Sequence, residues 1–342
     1  MQKHSEVFVR GRLTAGGSAS NGLIIALGVL VSFSVAAQVP QGGELLTRMA
    51  SSVRELDYQG SFVYQHAGRI DTLRVYHAGG AREQERLISL NGPRSEVIRN
   101  GTNVTCIQAD NSAIVYASTS GRGLLPLVPA AATAGIDDHY VIRMDGEDRV
   151  AGYAADVVEV LPRDAFRYGY RLWLEKGTRL LLRSIVTDHD NKSVEQFMFV
   201  SLEIGKTPAD TDLVPREREL LTTTAAPADE INLRGPPAWK VLNAPAGFTL
   251  RSARQSTKAV SGAQHLVYSD GLASVSVYVE PMQPGIDLPV ALASRGTLNI
   301  YSFSNNSWRF TVLGDVPAAT VTAIAESLEP DTTVASPPLP SR

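Results

Sequence analysis

Between positions 58 and 204 the chain is a run of short β-forming segments, each closed by a turn signal, and this punctuation constrains the fold more than any other feature. Tyr58-Gln-Gly-Ser-Phe-Val-Tyr64 is rich in β-formers and leads into a hairpin turn at His66-Ala-Gly-Arg69. Thr72-Leu-Arg-Val-Tyr76 alternates apolar and polar residues, as a half-buried strand does. Asn91-Gly92-Pro93 separates two further segments, 85–90 and 95–99, and Ala109-Asp-Asn-Ser112 separates 103–108 from 113–116. Strands are predicted again over 139–144, 149–152, 155–161, 168–175, 180–187 and 194–204, with Lys176-Gly-Thr178 and Asp188-His-Asp-Asn-Lys192 as turns. A meander of this length predicts a mostly antiparallel sheet.

Two stretches depart from the strand period. Leu45, Leu46, Met49, Val53 and Leu56 recur at spacings of three and four, which predicts a helix over 43–56 with one apolar face. Residues 124–135 are apolar and contain Ala and Pro, which suggests a helix or a mobile loop over one face of the sheet.

The N-terminus has three zones. Lys3, Arg10 and Arg12 stand against Glu6 in a polar lead, residues 23–35 are apolar, and Val35-Ala36-Ala37 supplies small residues at the exit. These are the parts of a secretory signal over 1–37, cleaved near Ala37. The apolar core is shorter than the roughly 18–20 residues that a spanning helix needs, which weighs against an uncleaved anchor. No Cys follows it, so a soluble exported protein is expected rather than a lipid-anchored one. Cleavage lowers the formal net charge from −3 to −5, a poor match to nucleic acid. With Cys106 as the single cysteine, an intrachain disulfide is excluded.

Length suggests two domains after the signal. Residues 38–206 form the first. Residues 207–236, rich in Thr, Pro and charge and containing Thr222-Thr-Thr-Ala-Ala-Pro227, have linker composition. A second domain over 237–329 has strands predicted at 265–268, 273–279, 296–303 and 309–314. A closing helix over 317–328 has Pro317 in its first turn. Residues 330–342, rich in Pro and Ser, are expected to be a disordered tail.

Catalytic patterns are sparse. There is no His-Glu-x-x-His, no Gly-x-Ser-x-Gly elbow and no phosphate loop. Cys106 lies in a strand-like run and reads as a small packed side chain. Asp188-His189-Asp190 is the best metal candidate, but its Asp, Asn and Lys surroundings read better as a hairpin turn. The expectation is therefore no enzyme, no cofactor and no metal. Phe62 and Tyr64 share one strand face, as do Phe197 and Phe199, and Trp173 lies in a neighbouring segment. These five either pack a core or wall an apolar pocket in a curved sheet, and the sequence leaves both open.

The chain resembles the MucB/RseB family of periplasmic sigma-E regulators. In the first domain the likeness runs through Gln59-Gly-Ser-Phe-Val-Tyr64, Arg86-Leu-Ile-Ser-Leu-Asn-Gly92, Glu96-Val-Ile-Arg99 and Arg149-Val-Ala-Gly152. It continues with Pro162-Arg-Asp164, Arg167-Tyr-Gly-Tyr170 and Leu172-Trp-Leu-Glu-Lys-Gly-Thr178. In the second it runs through Trp239, Pro245-Ala-Gly-Phe-Thr-Leu250, Tyr268-Ser-Asp-Gly-Leu272, Ser276-Val-Tyr-Val-Glu-Pro281 and Val312-Leu-Gly-Asp-Val-Pro317. Residues 253–262 match no family pattern.

The resemblance implies an α+β fold. Its large first domain would be like the lipoprotein carriers LolA and LolB, an incomplete β-barrel with helices over an apolar cavity; its smaller C-terminal domain would be α+β. It implies a periplasmic negative regulator of the envelope-stress response. Such a regulator binds the periplasmic segment of a MucA/RseA-like anti-sigma factor and shields it from proteolysis, until a lipid-like or lipopolysaccharide signal releases it. A periplasmic lipid or lipoprotein carrier is the alternative, and a homo-oligomer is left open. On this reading Phe62, Tyr64, Trp173, Phe197 and Phe199 are cavity candidates. Trp239, Phe248, Tyr268, Asp270 and Tyr278 are candidates for partner or domain–domain contact. For Asp270, the hairpin sequence Ser269-Asp-Gly271 offers a plain turn role.

Overall fold

The computed structural model describes residues 42–81, 83–117, 124–125, 135–216, 222–225, 230–256, 263–282, 289–305 and 307–332. The export segment 1–37, most of 124–135 and residues 333–342 lie outside the described residues.

The first sheet holds twelve strands among the described residues. They are β1 (Tyr58–His66), β2 (Arg69–Ala78), β3 (Gln84–Ser89), β4 (Glu96–Asn100), β5 (Asn103–Ile107), β6 (Ser112–Ala117), β7 (Tyr140–Val150), β8 (Tyr153–Pro162), β9 (Gly169–Glu175), β10 (Leu181–Thr187), β11 (Ser193–Ile204) and β12 (Thr222–Ala225). The order is β12-β6-β5-β4-β3-β2-β1-β11-β10-β9-β8-β7. Only β12 against β6 is parallel. The sheet ends at β12 and β7 and does not close, so it is an incomplete barrel. Its seam is β1, which pairs with β2 on one side and with the returning β11 on the other.

Helix α1 (Gly42–Glu55) covers one face. Leu45, Leu46, Met49 and Val53 point into the core at the predicted spacing, and Glu44 suits the positive first turn. The core beneath the helix includes Phe62, Phe197, Phe199, Leu172 and Leu174. At Gly60 a Cβ would collide with the Ser201 carbonyl of β11, so only glycine fits.

The second sheet has the order β13-β15-β16-β17-β20-β19-β18. Its strands are β13 (Glu230–Asn232), β15 (Thr249–Ser256), β16 (Gln264–Ser269), β17 (Ser274–Pro281), β18 (Ala291–Arg295), β19 (Leu298–Asn305) and β20 (Trp308–Asp315). The two-stranded β14 (Trp239–Val241) and β21 (Leu328–Pro330) stand beside it. Helix α2 (Ala318–Glu326) buries Val321, Ile324 and Ala325 in the same core as Val275, Val277, Val279 and Phe310.

Three expectations differ from the structure for local reasons. Segments 139–144 and 149–152 are not separate: β7 runs through both, with a bulge between Met144 and Glu147, while Ala151 and Gly152 take positive φ as the hairpin turn. The linker composition of 207–236 hides β12 and β13, because Thr is both a linker and a strand residue. The start of that stretch is also tied to the first domain: the Thr207 hydroxyl donates to Asp57, and Arg86 reaches the Asp212 carbonyl at 3.2 Å. Strands β14, β15, β18 and β21 lack a clear apolar alternation, β18 being exposed along its whole length.

Phe62→Ala should destabilise the protein by about 3–5 kcal/mol, since Phe62 is fully buried and meets Phe197 and Phe199 edge-on at 5.3 and 5.7 Å. Val200→Ala, at a side chain 52% exposed, should stay within about 0.5 kcal/mol. Urea unfolding of both variants beside the wild type checks the contrast.

Candidate functional site

Four of the five aromatic candidates lie together. Phe62 pairs with Phe199 and Tyr64 with Phe197 across β1 and β11, so all four side chains leave the same face. Phe62, Phe197 and Phe199 form a mutually edge-on trio, fully buried under α1. Trp173 is set apart. The register runs Met198, Arg183, Trp173 across β11, β10 and β9, one residue out of step with Phe197, Ser184, Leu172. Trp173 therefore leaves the opposite face, because a one-residue offset reverses side-chain direction. There it is covered by the Arg183 guanidinium 4.3 Å from the ring centroid and by Arg171 at 5.2 Å, and its indole N–H donates to Asp148 Oδ2 at 2.8 Å.

Of the second-domain candidates, Trp239, Phe248 and Tyr268 are buried in the core of the second sheet. Trp239 packs edge-on against Phe310 and Trp308. Tyr268 accepts the Val241 N–H at its hydroxyl, which holds β14 in place. Tyr278 is half-buried and stacks on His265 at 4.1 Å. Asp270 is different, because it stands where the two sheets meet.

Asp270 has two jobs with its two oxygens. Oδ1 accepts the N–H groups of Leu272 at 2.9 Å and Ala273 at 2.8 Å, which shapes its own hairpin turn. Oδ2 accepts Arg167 Nε at 2.7 Å and the Tyr140 hydroxyl at 2.9 Å, both from the first sheet's side. Arg167 and Asp270 side chains are both fully buried. The remaining guanidinium nitrogens donate to Asp164 and to the Ala246 carbonyl, and the cation lies over the Phe248 ring. Burial and the Asp270 charge push the Tyr140 phenol well above its ordinary range, so it stays a donor. Leu272, next in the turn, belongs to the first sheet's apolar core.

A second group of bonds crosses the same joint. Glu195 of β11 accepts the Thr297 N–H at 2.8 Å and the Tyr64 hydroxyl at 2.6 Å. Gly296 has φ +62°, and a Cβ there would strike the Glu195 carboxylate. Asn299 reaches the Tyr168 hydroxyl at 3.1 Å, and Thr320 of α2 donates to the Phe166 carbonyl at 2.7 Å. Through Glu195, the aromatic face and the second sheet share one carboxylate.

Asp188-His189-Asp190 occupies the β10–β11 turn. Asp188 Oδ1 accepts the Asp190 and Lys192 N–H groups, each at 2.9 Å, and His189 is exposed. The metal-type grouping among the described residues is elsewhere, at His77, Glu83 and Glu85. Sequence reading passed over it because these residues are brought together only by strand pairing. Likewise, nothing in Arg167 or Glu195 alone marked them as joint residues; Asp270 was a contact candidate through the family resemblance, and it also has the turn role that its hairpin sequence offered.

The MucB/RseB N-terminal domain matches residues 41–217 and the MucB/RseB C-terminal domain matches residues 234–329. The sigma factor AlgU regulatory protein MucB of Pseudomonas aeruginosa is 32% identical over 318 residues, covering 90% of this chain and 97% of that protein. The sigma-E factor regulatory protein RseB of Escherichia coli K12 is 24% identical over 309 residues, covering 89% and 96%. The solved MucA/MucB complex of Pseudomonas aeruginosa aligns with a TM-score of 0.64 at 30% identity, covering 85% of this chain and 99% of that one.

Arg167→Ala and Asp270→Ala should each cost about 3–5 kcal/mol, because each strands a buried charge. The double variant should lose less than the sum of the two by more than about 1 kcal/mol. A denaturation double-mutant cycle measures the difference.

Proposed function

The chain belongs to the MucB/RseB family, and from that premise we propose that it is a periplasmic, non-enzymatic negative regulator. It binds the periplasmic segment of a membrane anti-sigma factor and shields that segment from regulated proteolysis. The observation that carries this reading is the match, over both domains, to a MucB solved together with MucA. Export over residues 1–37 puts the protein in the compartment where such a segment is exposed. Shielding requires no chemistry, only a surface that outcompetes the protease. A mature net charge of −5 suits a segment with basic or apolar patches.

A lipid-like ligand at the aromatic face is the releasing signal in this proposal. Phe62, Phe197 and Phe199 are sealed in the core, so the ligand acts at half-buried Tyr64, which packs against that core and bonds Glu195, and through it Thr297 of the second domain. A ligand that moves Tyr64 favours whichever joint arrangement tolerates the loss of its bond to Glu195; that difference in affinity between arrangements is what coupling consists of. The carrier reading has no comparable use for this joint, since holding a lipid needs only the first sheet.

The mature wild-type chain should bind a synthetic periplasmic segment of its anti-sigma factor and slow that segment's cleavage by the regulated protease. Purified lipopolysaccharide should weaken the binding at least about tenfold, a coupling of roughly 1.4 kcal/mol. Tyr64→Phe should keep the binding and blunt the lipopolysaccharide response. Absence of binding to the segment in calorimetry refutes the regulator reading; binding that ignores lipopolysaccharide refutes the signal.

A further inference from the structure

A polar row crosses four neighbouring strands on the apolar face of the first sheet. Tyr58 pairs with His77, His77 with Glu85, and Glu85 with Arg99, across β1, β2, β3 and β4. All four side chains are buried. Glu83 approaches the row from just before β3 and is 19% exposed, its solvent-facing edge.

The hydrogen bonds fix the tautomer of the histidine. His77 Nδ1 lies 2.7 Å from the Leu56 carbonyl oxygen. A carbonyl only accepts, so Nδ1 carries the proton, and neutral His77 then presents a bare lone pair at Nε2. That lone pair faces Glu83 Oε1 at 3.5 Å and Glu85 Oε1 at 3.6 Å. Glu85 Oε1 is fully buried and has no hydrogen-bond partner. Glu83 Oε1 takes a bond from Arg99, but no donor reaches Glu85 Oε1 or the lone pair of the neutral imidazole, and a cation between them would satisfy both.

The spacing selects the kind of cation. The 3.5 and 3.6 Å separations exceed the roughly 2.7–3.2 Å of an N–H···O bond. They approach the edge of a tetrahedron with metal–ligand bonds of about 2.1 Å, which is roughly 3.4 Å. The outer partners have the form expected around a metal: His77 donates its other N–H to a backbone carbonyl, and Glu85 Oε2 is oriented by Arg99 at 2.8 Å and by the Leu124 N–H at 2.9 Å. Arg99 also bonds Glu83, and the Tyr58 ring stacks on the imidazole at 4.5 Å. With neutral His77, the two carboxylates and Arg99 leave a local charge of −1.

We propose that His77 Nε2, Glu83 Oε1 and Glu85 Oε1 form a buried site for one divalent transition-metal ion of the zinc class. One imidazole with two carboxylates suits zinc better than magnesium or calcium, which prefer oxygen alone.

The test uses the mature chain, stripped with a chelator and dialysed against zinc at neutral pH, with metal content measured by mass spectrometry. One equivalent should remain bound, and cobalt(II) in its place should give the intense visible bands of a four-coordinate site. His77→Gln and Glu85→Gln should each weaken binding by roughly a hundredfold or more, since loss of a ligand exceeds the 10–100-fold effect of an outer partner. His189→Gln, in the exposed turn, should leave it unchanged. The wild-type cobalt spectrum keeps the test decisive even where a variant misfolds. Less than stoichiometric zinc in the wild type, or six-coordinate cobalt bands, overturns the proposal and leaves a proton on His77 Nε2, beside Arg99, to satisfy the carboxylates. Binding lost in His189→Gln instead overturns it in favour of the turn.

Discussion

A fully buried ion pair between two sheets is a demanding way to hold a molecule together. Arg167 and Asp270 each lose their hydration, and the Coulomb attraction between them repays this only if the remaining donors and acceptors are also matched. Here they are. Asp270 accepts two backbone N–H groups, Arg167 and Tyr140, and Arg167 spends its other nitrogens on Asp164 and Ala246 O. Leu272 follows Asp270 into the first sheet's core, so the polar contact and the apolar one are made by the same turn. The pair sets the angle at which the second sheet is presented. An apolar patch of equal area tolerates sliding; a carboxylate with four fixed partners does not. For a protein proposed to work by covering another chain's segment, that fixed presentation is the property that matters.

The fold was legible wherever burial imposed a period. β16 alternates in burial throughout, β1, β17 and β20 over most of their length, and α1 shows its face at three- and four-residue spacing. Where burial imposed none, the sequence was silent. β18 is wholly exposed, and β15 is exposed or half-buried along its length. β12 is written in Thr, which serves linkers and edge strands alike. The bulge in β7 merged two predicted strands into one because Gly146 lets the chain turn aside without leaving the ladder.

The site was less legible, and the reason is register. Alternation tells which residues of one strand share a face but not which face of its neighbour they meet. Phe62 with Tyr64 and Phe197 with Phe199 were each readable as pairs. That the two pairs face each other, and that Trp173 turns its back on them, depends on the pairing of β1 with β11 and of β9 with β10. Arg167 and Glu195 are ordinary charges in the sequence. Their burial against the other sheet is a long-range fact, set by contacts more than a hundred residues away.

Strand β1 draws these observations into one line. Its alternate residues on a single face are Tyr58, Gly60, Phe62 and Tyr64. Tyr58 stacks on His77 at the polar row and touches Phe199 edge-on at 6.4 Å. Phe62 stands in the aromatic trio, and Tyr64 bonds the carboxylate that holds Thr297 of the second sheet. Gly60 leaves room for β11 to come close enough for these contacts to form. Contiguity of this kind transmits nothing by itself; coupling requires that some element along it have two arrangements with different affinities for each ligand. The Tyr64–Glu195–Thr297 contact is suited to be that element. Its three groups come from both domains, and none of them belongs to the Phe trio or to the Arg167–Asp270 pair. A bond at the end of the strand can give way while the rest of the joint holds, and the signal proposed to bind beside it would have that one bond to act on.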